Sequence, residues 1–108
     1  MVPEVERNAQ RTTAAIVLIG ACWFAAWPYM GLSHDARLYA LEALARVTPG
    51  VFDRDLFLAY GSQGGFTLFP GLFGELIKWL GLESAAFSLA LAGKLFWFAA
   101  LAYLARQL

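Results

Sequence analysis

The stretch from Thr12 to Leu32, TTAAIVLIGACWFAAWPYMGL, contains no charged residue. At 1.5 Å per residue, a helix of ~20 apolar residues covers the ~30 Å hydrocarbon layer of a bilayer. A secretory signal would have a shorter apolar core and a small-residue cleavage site, whereas this run is long. It ends in Trp23, Trp27 and Tyr29, residue types that favour the membrane–water interface. Pro28 bends or stops a helix near that end. The expectation is an uncleaved spanning helix over 12–32, preceded by a short polar tail, 1–11, frayed or disordered.

Composition points the same way. The 108-residue chain is 60% hydrophobic and only 15% charged, with four Trp, four Tyr and nine Phe; its mean hydropathy is +0.59. One small soluble core cannot hide that much apolar surface, since small domains bury the smallest share of their area. Net charge is zero and no basic stripe is present, which excludes a nucleic-acid partner. The one cysteine, Cys22, has no intrachain disulfide partner.

A second spanning segment is expected over 83–108, ESAAFSLALAGKLFWFAALAYLARQL. Ala85, Ala92 and Ala99 recur every seventh residue, as do Ala86, Gly93 and Ala100. Such a stripe permits close approach of another helix. Lys94 falls near the middle, where a charge is costly unless it snorkels or meets a polar partner.

Between the spans, 33–65 is polar. Ser33 suits a helix N-cap and Asp35 a first turn, where negative charge complements the helix dipole. An amphipathic helix is expected over about 35–47, with Leu38, Leu41, Leu44 and Ala45 on one face. Asp35, Tyr39, Glu42 and Arg46 follow on another, Glu42 and Arg46 as an i,i+4 pair. Pro49-Gly50 stops it. The segment 66–81, FTLFPGLFGELIKWLG, gives a helix of ~16 Å from Pro70 to Gly81, too short to span. Glu75 and Lys78 also argue against full insertion, so it reads as an interfacial or re-entrant helix. The fold class is therefore an all-α membrane protein: two spanning helices joined by an external loop with two or three short amphipathic helices. Arg7, Arg11 and Arg106 put both termini in the cytoplasm by the positive-inside rule, against Arg37, Arg46, Arg54 and Lys78 in the loop. The expected location is the plasma (inner) membrane.

The order of features, with HDARLYALEAL and DLFLAYGSQGGFTLFPGLFGELIKWLGL, resembles the N-terminal part of the GT-C superfamily of integral-membrane glycosyltransferases. It is similar in particular to bacterial multi-pass members whose substrates are mostly unassigned. The resemblance covers roughly Thr12 to Leu108, and its motifs are short. It implies sugar transfer from a polyprenyl-phosphate-type lipid carrier at the outer face, with Asp35 as general base for the acceptor hydroxyl. His34 would assist, and Arg37, Arg54 or Lys78 would neutralise phosphate. Asp53 and Asp55 form a second acidic point, which in some members binds a divalent metal; no other cofactor is implied. Many members carry an acidic pair at the first site, where this chain has His34-Asp35. GT-C enzymes have many more spans, so the chain reads as a fragment, inactive alone and completed by further helices of a parent protein or partner.

The residues also have plainer readings. Asp35 is an ordinary helix-start acid, His34 an interface or capping residue, and Asp53 and Asp55 caps for a segment starting near Leu56. Ser62 lacks a His/Asp partner at a fixed spacing. A second function class is therefore kept: a small two-helix accessory or assembly subunit without catalysis. A transport component using Lys94 is a weaker third.

Overall fold

The computed structural model describes residues 3–61 and 64–107. Among them there is no strand, and the elements are α1 (Glu4–Ala26), α2 (Ala36–Val47), a π-helical turn (Phe57–Gly61), α3 (Phe69–Leu80) and α4 (Leu82–Gln107). Ser62 lies outside the described residues. α1 and α4 are long and apolar enough to cross a membrane. The chain divides into two compact units, Met1–Tyr29 with Lys94–Leu108, and Met30–Gly93.

In the first unit, α1 begins earlier than the apolar run. Glu4 and Glu6 occupy its first turn, where acids complement the exposed N–H groups. Residues 4–11, expected as a frayed tail, are thus helical. The helix also stops at Ala26 rather than near Leu32. Pro28 accounts for this: the residue before a proline is pushed from helical to extended backbone, and Trp27 sits at φ −123, ψ 68. α1 meets α4 around Gly20, its one buried residue. A Cβ there would come within 2.5 Å of the Phe98 ring, so only glycine admits the ring without a shift.

In the second unit, α2 packs on α3. The approach is close at Gly74, where an added Cβ would lie 3.2 Å from Val47 Cγ1 and 3.3 Å from the Ala43 carbonyl oxygen. Ala40, Ala43 and Phe73 are buried there, and Tyr39, Phe69 and Phe73 form a chain of ring contacts at 5.7 and 5.8 Å. The buried face of α2 is thus its alanine face, not the expected leucine face; Leu38 is exposed and Leu41, Leu44 and Ala45 are half-buried. Small side chains win because they let the backbones approach. Glu42, expected on the polar face, is buried. Of the small-residue stripe on α4, Ala85 and Ala86 are buried, whereas a Cβ on Gly93 would meet nothing within 4 Å.

Candidate functional site

The head of α2 is a tight turn. Ala36 N–H donates to the Ser33 carbonyl and Arg37 N–H to the His34 carbonyl, both at 3.1 Å. His34 has a positive φ of 49, a conformation uncommon for residues with a side chain. It shifts the helix start by two residues: Asp35, not Ser33, holds the N-cap position, and its side chain makes no capping hydrogen bond. His34 and Asp35 are both exposed. Arg37 folds back over the turn, donating from Nε to the Leu32 carbonyl at 3.2 Å. The turn therefore presents a carboxylate, an imidazole and a guanidinium together at the surface.

The other charged candidates separate. Asp55 Oδ1 accepts a 3.1 Å hydrogen bond from Leu58 N–H and so caps the π-helical turn. Asp53 and Asp55 line a cavity of about 400 Å³ with Thr48, Gly50, Phe52 and Leu58. Neither Asp35 nor His34 lines it. Among the described residues no group of three or more His, Cys, Asp or Glu side chains could hold a metal ion. Arg54 is exposed. Lys78 pairs with Glu75 at 2.6 Å on the open side of α3, as an i,i+3 surface pair.

Lys94 has a partner that its position in the sequence does not name. Its Nζ donates to the Trp27 carbonyl oxygen and lies 5.9 Å from the Phe24 ring centroid. The last carbonyls of a helix lack intrahelical donors and carry the negative end of its dipole. The Pro28-induced stop at Trp27 places such a carbonyl opposite Lys94. The Trp-Pro pair was the available signal. Glu42 had no comparable signal, because its i,i+4 relation to Arg46 suggests a solvated pair; Arg46 extends to the Gly64 carbonyl, donating from Nη2 at 2.8 Å.

No protein-family model matches the chain, and neither does any curated protein or solved structure.

Proposed function

We propose that the chain is an integral-membrane segment whose surface turn presents Asp35 as the general base of a GT-C-type glycosyltransferase, acting on a lipid-phosphate-linked sugar at the outer face. The carrying observation is the state of Asp35. It occupies a capping position, yet its carboxylate makes no capping bond and faces solvent, beside a histidine held at positive φ. Backbone in sparsely populated regions clusters at functional sites. A carboxylate not used by its own helix is available to accept a proton, and the adjacent Arg37 offers a cation for phosphate. Arg54 remains a further phosphate contact; Lys78 does so only by leaving Glu75.

The test is sugar transfer in membranes carrying the full-length gene product. Asp35→Asn keeps the volume and the possibility of capping but removes the base. Loss of general-base catalysis typically costs about 10²–10⁴-fold in rate. Near-normal transfer by a folded Asp35→Asn protein refutes the base assignment.

One observation favours a second reading, that of a non-catalytic accessory subunit. Large apolar side chains stay exposed on the long helices, Leu18 at 65% and Phe96 at 79% among them, and a subunit would pack them against partner helices. Under that reading, Asp35→Asn is silent while substitutions on those faces abolish assembly.

A further inference from the structure

We infer that the contact between Lys94 and the end of α1 marks the membrane–water boundary, so that α4 enters the bilayer at Lys94 rather than at its first residue. The inference rests on the membrane reading above and concerns where the chain meets lipid. Three observations carry it.

The first is the level of the contact. Lys94 Nζ reaches the carbonyl of Trp27, at the C-terminal end of α1. If α1 crosses the bilayer, its end lies at a surface, and whatever it touches lies there too. Lys94 is then near headgroup depth, where an ammonium is readily hydrated and its aliphatic stem can remain in the apolar layer. A position at mid-depth, expected from the sequence midpoint of α4, would instead be among the costliest for a cation.

The second is the distribution of tryptophan. Of the four Trp residues, Trp27 is the contact itself, and Trp23 and Trp97 stand about one helical turn from it along α1 and α4. Interfacial belts of Trp and Tyr mark the headgroup level, and this one coincides with Lys94.

The third is the change in exposed surface along α4. After Lys94, Leu95, Phe96, Trp97, Tyr103 and Leu104 are each more than half exposed, from 53% to 79%. Before it, Ala85 and Ala86 are buried, and the exposed large apolar residues are Phe87 at 48% and Leu91 at 37%. An apolar surface of that density fits hydrocarbon as its neighbour. About 24 Å of helix separates Trp27 from Arg11 and about 18 Å separates Lys94 from Arg106, so beyond Lys94 this stretch of α4 reaches part of the way across a ~30 Å core.

The experiment uses the whole chain, Cys22→Ala, reconstituted in phosphatidylcholine–phosphatidylglycerol vesicles, with single spin labels at Leu91 or Ala99. Collision with a water-soluble nickel chelate is compared with collision with oxygen, which concentrates in the hydrocarbon. The expected result is nickel-dominated relaxation at Leu91 and oxygen-dominated relaxation at Ala99. Oxygen dominance at both positions overturns the boundary assignment while leaving the membrane reading intact. Nickel dominance at both overturns the membrane reading itself. Lys94→Leu should move the Leu91 label into the oxygen-dominated regime, a shift of about one turn, and Lys94→Arg should not. An unchanged Leu91 label in Lys94→Leu, with helical content preserved by circular dichroism, removes Lys94 from its role in setting the boundary.

Discussion

Asp35 and Asp55 both stand at the start of a helical turn, and the structure uses them differently. Asp55 commits Oδ1 to the Leu58 N–H, while Asp35 makes no side-chain capping bond. Their substitutions should therefore separate. Asp55→Ala removes a cap and should destabilise the second unit by about 0.5–2 kcal/mol. Asp35→Ala loses only the interaction of a surface charge with the helix dipole, on the order of 0.3–1 kcal/mol. Thermal unfolding of the purified chain in detergent checks the order, and a larger loss at Asp35 than at Asp55 would contradict it. The comparison also guards the activity experiment: an inactive Asp35→Asn protein with unchanged melting has lost chemistry rather than structure. Lys94 gives the complementary lesson. Its charge in an apolar run required a polar partner, and the partner proved to be a backbone carbonyl rather than an acid. The sequence forecast the need but not the donor–acceptor pair, because carbonyls become available only where a helix stops.

At the scale of elements, the α2–α3 pair is set by what is missing from Gly74. A Cβ there would press on Val47 Cγ1 and on the Ala43 carbonyl, and a carbonyl cannot swing aside as a side chain can. Gly74→Val should force the helices apart and cost about 1–3 kcal/mol, the usual range for overpacking. Gly71 is the control on the same helix: a Cβ there would meet the Arg46 guanidinium at 3.7 Å, an ordinary contact. Gly71→Ala should be neutral or stabilising by up to about 1 kcal/mol through helix propensity. Unfolding midpoints that fall equally in both variants would mean that close approach at Gly74 does not hold the pair. The boundaries of these elements were mostly legible. Pro49-Gly50 and Gly81 end α2 and α3 as punctuation predicts, with Gly50 and Gly81 at φ 87 and 78. The N-terminus of α1 was not legible, because residues 4–11 are polar and lack the apolar periodicity that marks the rest of the helix.

For the whole molecule, topology decides which side of the membrane each part occupies. The proposed topology places the N-terminus in the cytoplasm and the region around Tyr60 outside. Tyr60 is 89% exposed, which makes it a suitable labelling position. In a Cys22→Ala background, an impermeant thiol reagent should label Tyr60→Cys in intact cells and Gln10→Cys only after lysis. The opposite pattern would invert the protein and move Asp35 to the cytoplasmic face, away from an outer-leaflet carrier.

Hydrophobicity alone was enough to specify a helical chain with two segments long enough to cross a membrane, since long runs dominated by apolar residues have few other stable forms. Local chemistry was enough to place the stops at Pro49-Gly50 and Gly81, because prolines and glycines restrict or release the backbone wherever they fall, whereas α1 was drawn through to Leu32 and ends at Ala26. Tertiary structure decided the rest. It chose the alanine face of α2 over its leucines, because the area available to a pair of helices depends on how near their backbones can come. It buried Glu42, which helical periodicity had assigned to solvent. It joined Lys94 to Trp27 across 67 residues, a separation at which periodicity carries no information. Periodicity records which side of a helix a residue lies on; only packing records what stands opposite.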